Sequence, residues 1–138
     1  MRIDFYKPVK RYLADPRALL ALLAAKCFEQ GTPALWLVVS QEAAEELDQY
    51  LWETPEDSFL PHQICGDDDD AQCPLLIVPP GARTRSRSII LNHREEPVAI
   101  DVERVIELIP PDPAGTKSAR TRWRAYAARG HEPTLIEV

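Results

Sequence analysis

The chain has 138 residues, which fits one domain able to bury about two thirds of its unfolded surface. With 45% hydrophobic and 28% charged residues, its composition is ordinary for a soluble globular protein. The formal net charge is −6, which argues against bulk nucleic-acid binding because that function favours a basic chain.

Membrane insertion and secretion are also disfavoured. No apolar run approaches the roughly 20 residues of a membrane span, since the run from Leu19 to Phe28 is short and is interrupted by Lys26. The first residues show no signal-peptide organisation. Three cysteines, an odd number, argue against a disulfide framework and agree with a reducing compartment. We therefore expect a cytoplasmic protein with no membrane contact.

Hydrophobic periodicity predicts alternating strands and helices. Asp15 is a candidate N-cap, Pro16 a first helical residue and Gly31 a helix stop. The continuous apolar run at 34–39 is typical of a strand that is buried on both faces. In chain order, the pattern predicts strands at 3–6, 34–39, 75–78, 88–91 and 104–109, helices at 16–30, 41–52 and about 114–129, and an edge strand at 134–138.

This order of elements indicates a fold class. Strand and helix in alternation imply right-handed crossover connections and a sheet covered by helices. We expect one three-layer α/β domain over residues 1–138, with a mostly parallel twisted sheet flanked by helices and a Rossmann-like topology.

Motifs of catalysis and metal binding are weak. The sequence has no glycine-rich phosphate loop and no Gly-x-Ser-x-Gly elbow. His62, Cys65 and Cys73 lack the paired spacing of zinc ligands, and the four aspartates at 67–70 are better explained as a solvated turn. We expect no cofactor, no metal and no catalytic residue. A small-ligand enzyme at the carboxyl ends of the strands stays open on fold grounds alone.

Three arginines, Arg83, Arg85 and Arg87, alternate along a segment before the strand at 88–91. On one side of an extended segment they would be able to contact phosphates, although no aromatic residue is interleaved to stack bases. The other interpretation is a solvated approach to the strand. Direct nucleic-acid binding through this strip is the alternative function.

The stretch from Leu47 to His62 leaves a helix and breaks at Pro55. It then carries large apolar side chains through a segment that is not regular structure: Trp52, Phe59, Leu60 and Pro61. Either the core of the domain or a second protein must cover them. We favour a second protein.

The last predicted helix combines an aromatic stripe with a cationic one. At helical spacing the first stripe contains Ala119, Trp123 and Tyr126, and the neighbouring stripe contains Lys117, Arg120 and Arg124. A short proline-rich turn brings Ile109 near the start of this helix. An apolar floor with cationic walls suits a peptide that ends in a hydrophobic residue and a free carboxylate. The alternative is that both aromatic residues are core and the cations are solvated.

Several motifs together resemble one family, the chi subunits of bacterial DNA polymerase III holoenzyme. The resemblance rests on the order and spacing of Asp4-Phe5-Tyr6, Leu47-Asp48, Leu51-Trp52, Ser58-Phe59-Leu60-Pro61-His62, Arg104-Val105-Ile106-Glu107 and Ala119-Arg120-x-Arg122-Trp123-x-x-Tyr126-x-x-x-Gly130. These motifs extend over nearly the whole chain.

The resemblance implies a non-catalytic, clamp-loader-associated subunit that contacts nucleic acid only indirectly. The psi subunit of the clamp-loader complex would bind at Trp52, Phe59, Leu60 and Pro61. The acidic C-terminal tail of single-stranded DNA-binding protein would bind at Ile109, Thr116, Lys117, Arg120, Trp123 and Arg124. A lysine of the family pattern falls on Thr116, with Lys117 one place later, which changes the number of cations around the tail.

Overall fold

The structure, a computed structural model, describes residues 1–53 and 60–138, except for the side chain of Arg11. Within these residues the strands are β1 (Arg2–Lys7), β2 (Ala34–Leu37), β3 (His62–Ile64), β4 (Leu75–Val78), β5 (Ile89–Asn92), β6 (Arg104–Leu108) and β7 (Thr134–Glu137). The α-helices are α1 (Pro16–Glu29), α2 (Gln41–Glu53) and α3 (Pro113–Ala128). None of the helices in the described ranges is long and apolar enough to cross a membrane.

The seven strands form one sheet in the order β3-β4-β2-β5-β6-β1-β7. Every neighbouring pair is parallel, so the predicted mostly parallel sheet is entirely parallel. β3 and β7 lie at the two edges, and the predicted edge strand at the C-terminus is confirmed. Because all strands run the same way, their carboxyl ends meet at one edge of the sheet.

Helices cover both faces of the sheet and make three layers. On one face, Trp36 of β2 and Ile77 of β4 pack with the buried residues of α1 and α2. On the other face, Leu35 of β2 and Leu76 of β4 belong to a second cluster that includes Tyr126 of α3. Both faces of the central strands are therefore buried, which explains their continuous apolar sequence.

Some elements of the structure differ from the prediction. β3 was not predicted, because His-Gln-Ile is neither an apolar run nor a clear alternation. The strand predicted at 34–39 ends at Leu37, and Val39 is 54% exposed where the chain turns toward α2. Leu22 and Phe28, expected in the inward stripe of α1, are exposed; α1 is apolar nearly all round, so its sequence alone does not define which side is buried.

Candidate peptide-binding groove and partner surface

Signals in the sequence fix both ends of α3. The Asp112 carboxylate accepts a hydrogen bond from the backbone N–H of Gly115 at 2.8 Å, and Pro113 follows as the first helical residue. Gly130 ends the helix with a φ of +91°, a left-handed conformation that glycine adopts without strain. These ends place the helix at 113–128, one residue earlier than predicted.

The buried face of α3 contains a charge that the predicted aromatic stripe omitted. Ala119, Arg122 and Tyr126 are buried, whereas Trp123 is half-buried at the border. The Arg122 guanidinium forms an ion pair with the inaccessible carboxylate of Glu107 on β6, with Nε 2.8 Å from Oε1. α3 is thus anchored to the sheet by a buried ion pair as well as by apolar contacts.

Two further side chains donate hydrogen bonds to the Glu107 carboxylate. The Tyr126 hydroxyl and the Asn92 side-chain amide donate to its other oxygen at 2.7 and 2.8 Å. Burial raises the pKa of Glu107, and the Arg122 charge together with these donors opposes that rise. Burial, followed by the charge of Glu107, also raises the pKa of Tyr126, so its hydroxyl keeps the proton that it donates.

Beside Trp123 lies an open groove of about 590 Å³. Its floor includes the Trp123 indole, whose centre lies 5.0 Å from that of the Phe5 ring on β1. The groove is lined by five of the six residues predicted for the tail site: Ile109, Thr116, Arg120, Trp123 and Arg124. Lys117, the sixth, is exposed on α3 but is not among the lining residues.

The polar groups of the groove differ in whether they are free to bind a ligand. Arg120 and Arg124 are exposed, and neither takes part in an ion pair within the described part of the chain. The Thr116 hydroxyl instead donates to the backbone carbonyl of Pro110 at 2.9 Å and ties the turn to the helix. Two guanidinium groups are therefore available to a carboxylate, and Thr116 contributes no charge.

The wall of the groove that faces α3 has no local signal in the sequence. It consists of Lys7, Pro8, Val9 and Leu13, which follow or end β1, and Leu135 of β7. These residues are more than 90 positions away from α3 or lie beyond it on the last strand. Only the order β6-β1-β7 brings them beside the helix, and no local pattern in the sequence carries that information.

The predicted psi-binding residues fall into different environments. Trp52, in the last turn of α2, is 59% exposed, and its ring centre lies 5.3 Å from that of His62. Pro61 is half-buried, and Phe59 lies outside the described residues.

Leu60 differs from the prediction of an outward-facing residue. It is 4% exposed and packs in the core cluster under α1 and α2. The buried His62 ring accounts for this position, because its Nδ1 lies 2.7 Å from the Leu60 carbonyl oxygen and its Nε2 lies 3.2 Å from that of Asp48. The segment is thereby drawn onto α2, and Leu60 offers no surface to a partner.

The predicted arginine strip is reduced to two members. Arg87 is half-buried, and its guanidinium donates to the carbonyl oxygens of Ala34, Asp70, Cys73 and Pro74 at 2.8–3.2 Å. It therefore organises the amino ends of β2 and β4 instead of lying in solvent. Arg83 and Arg85 remain exposed.

A second cleft, of about 390 Å³, lies at the carboxyl ends of β2, β5 and β6 and is lined in part by His93, Glu46 and Glu95. His62 is not among its lining residues. Among the described residues, no group of three histidine, cysteine or acidic side chains is arranged to hold a metal ion.

The fold and the groove define a three-layer, all-parallel α/β protein with a cationic groove beside its last helix. Residues 1–134 match the family described as DNA polymerase III chi subunit, HolC. The chain belongs to this family, and an accessory role in DNA replication follows from the membership.

Individual proteins of the family are similar to this chain over most of their length. The chain is 30% identical over 133 residues to the DNA polymerase III subunit chi of Pseudomonas aeruginosa, covering 94% of this chain and 92% of that protein. It is 29% identical over 121 residues to the Escherichia coli subunit, covering 86% and 82%. For the Haemophilus influenzae subunit the identity is 27% over 111 residues, covering 78% and 77%.

Proposed function

We propose that this chain is a non-catalytic, clamp-loader-associated subunit that acts as a bridge in the cytoplasm. One surface binds the psi subunit, and the groove beside α3 binds the acidic C-terminal tail of single-stranded DNA-binding protein. The observation that carries the proposal is the groove itself, where Ile109, just after β6, lies together with Arg120 and Trp123 of α3.

The groove suits the end of an acidic peptide. The exposed guanidinium of Arg120 has no acidic partner within the described residues and forms a strong, charge-assisted contact with a terminal carboxylate. Ile109 and the Trp123 indole offer an apolar floor to the terminal side chain. A short flexible peptide loses ordering entropy on binding, so we expect an affinity on the order of micromolar.

The psi surface is supported by the exposure of Trp52. A tryptophan on the surface of a helix has the chemistry of an interface anchor, because burying its ring removes a large apolar area from water. It belongs to α2, which packs on one face of the sheet, while α3 packs on the other. Both partners would then bind at once, as a bridge requires.

Direct nucleic-acid binding is the weaker candidate. Arg87 is occupied by backbone carbonyls, so only Arg83 and Arg85 would face phosphates. We therefore propose that nucleic acid is reached through the protein that coats it. A gel shift with naked single-stranded DNA separates the two functions, because retention of the DNA by this chain alone would favour the direct contact.

A crossed binding experiment tests the bridge. Arg120→Ala should weaken binding of a synthetic acidic tail peptide roughly tenfold, because it removes one charge-assisted hydrogen bond. Trp52→Ala should abolish association with the psi subunit and leave tail binding unchanged. Isothermal titration calorimetry measures the first interaction, and co-elution with psi in gel filtration measures the second.

Two exposed residues outside both surfaces serve as controls. Arg83→Ala removes a guanidinium and Leu22→Ala removes an exposed apolar side chain, and neither should change either interaction. Unaltered tail affinity in Arg120→Ala would refute the tail assignment. Loss of both interactions in Trp52→Ala would mean that Trp52 supports the fold and not one interface.

A further inference from the structure

We propose that Lys7 and Lys10 form a second cationic wall of the groove and recognise the acidic side chains that precede the last residues of the bound tail. This inference rests on the proposed function and adds a specificity determinant to it. The wall is the segment Lys7–Lys10, which leaves β1 at its carboxyl end.

The first three residues of the segment border the groove. Lys7, Pro8 and Val9 line it, and so does Leu13; Lys10 comes between them in the chain and is exposed, but it is not among the lining residues. Arg120 and Arg124 line the same groove from α3, so a bound peptide has cations on two sides. At about 590 Å³ the groove is within the range of small-ligand pockets, roughly 300–1,000 Å³, and encloses only the end of a peptide. The preceding residues must lie along its rim.

Backbone hydrogen bonds hold this wall in place before any peptide binds. The N–H of Val9 donates to the Val138 carbonyl at 2.6 Å, and the N–H of Val138 donates to the Lys7 carbonyl at 3.0 Å. Lys10 has a φ of +61° and is the single non-glycine residue with a positive φ in the described ranges. Such a conformation costs free energy and persists only where neighbouring contacts impose it. A backbone fixed in advance loses little further entropy on binding.

The lysines are available for an acidic ligand. Lys7 and Lys10 are exposed and form no ion pair with any described residue. Glu137 is the register neighbour of Lys7 on β7, yet no ion pair joins the two side chains. On α3, Thr116 adds no charge to the groove and Lys117 does not line it. In a chain of net charge −6, Lys7 adds a third cation to the lining supplied by Arg120 and Arg124, and Lys10 adds another exposed positive charge three residues further along the chain.

The test uses two synthetic peptides of equal length with the same hydrophobic last residue and a free carboxylate. One has aspartates at the preceding positions, and the other has asparagines. The variant Lys7→Ala/Lys10→Ala should bind the aspartate peptide roughly two- to tenfold more weakly than wild type, because two exposed charge contacts are lost. Its affinity for the asparagine peptide should stay within about twofold. Arg120→Ala should weaken binding of both peptides, because they share the terminal carboxylate.

The matched control is Lys26→Ala/Arg83→Ala, which removes two exposed positive charges outside the groove and should not distinguish the peptides. The glutamine version, Lys7→Gln/Lys10→Gln, keeps more of the side-chain length and should reproduce the alanine result at an unchanged melting temperature. Equal losses for both peptides, or none, would overturn the inference while leaving the proposed function intact. Failure of wild type to bind either peptide would overturn the proposed function itself.

Discussion

Arg120 and Arg122 lie two positions apart on α3 and have opposite environments. Arg120 is exposed at the groove, while Arg122 is buried against Glu107 beneath the helix. A helix turns by about 200° over two residues, so the two side chains point to different sides. One is available to a ligand, and the other holds the helix on the sheet.

We expect Arg122→Ala to lower the free energy of unfolding by about 3–5 kcal/mol. The substitution leaves the Glu107 carboxylate buried without its cation, and an uncompensated buried charge is costly. Urea unfolding followed by circular dichroism measures the change. Arg124→Ala, on the exposed side of the same helix, should change the stability by less than about 0.5 kcal/mol. Equal effects of the two substitutions would contradict the structural role of Arg122.

At the scale of single residues, the sequence predicted the exposed cations and missed the buried one. Helical spacing placed Arg120 and Arg124 beside Trp123, and all three line the groove. The same spacing puts Arg122 on the face of Ala119 and Tyr126, but a charged residue gave no sign of burial, because its partner Glu107 is 15 residues away on a strand. Leu60 was misplaced for a similar reason, since the contact of the His62 ring with the Asp48 carbonyl oxygen, 14 residues earlier in the chain, is not a local pattern.

The turn between β6 and α3 sets the position of the groove relative to the sheet. Gly115 lies in the first turn of α3, and a Cβ atom there would come within 2.7 Å of the Pro110 Cβ and 2.8 Å of an Asp112 carboxylate oxygen. The proline ring cannot move aside as the end of a flexible side chain would. Glycine is thus required by the close approach of the turn and not by its φ.

Gly115→Ala should therefore destabilise the protein, by about 1 kcal/mol or more, although alanine is normally about 1 kcal/mol better than glycine inside a helix. Chemical denaturation gives the difference. Thr121→Ala, at an exposed position of the same helix, should raise the free energy of unfolding by a few tenths of a kcal/mol, because alanine has the higher helix propensity. A stabilised Gly115→Ala variant would show that the turn can relax at little cost.

Elements with a strong local signal were predicted, and those defined by their neighbours were not. The apolar runs of β2 and β4 and the capping residues of α3 carry their own evidence in the sequence. β3 has three residues, and its assignment as a strand depends on pairing with β4. Strand order likewise comes from tertiary packing. Because the wall at Lys7 and Val9 depends on that order, it was not predicted from the sequence.

At the scale of the whole molecule, charge and apolar surface are separated. Residues 1–70 carry 14 acidic and 6 basic side chains, whereas the α3 region from Lys117 to Gly130 carries no acidic residue. The sheet divides α2, with Trp52, from α3, with the groove. We infer that the two proposed interfaces depend on different forces: apolar burial at Trp52 and charge attraction at the groove.

These forces respond differently to salt. Raising NaCl from about 0.05 to 0.5 M shortens the screening length to a few ångströms, so exposed arginine and lysine contacts weaken. We expect the affinity for the acidic tail peptide to fall several-fold over this range and the affinity for the psi subunit to change much less, because apolar burial is not screened. Calorimetric titrations of each partner at four or five salt concentrations give the dependence of each affinity on the salt concentration. A tail affinity that does not depend on salt would mean that the groove binds through its apolar floor alone, with its arginines and lysines taking no part.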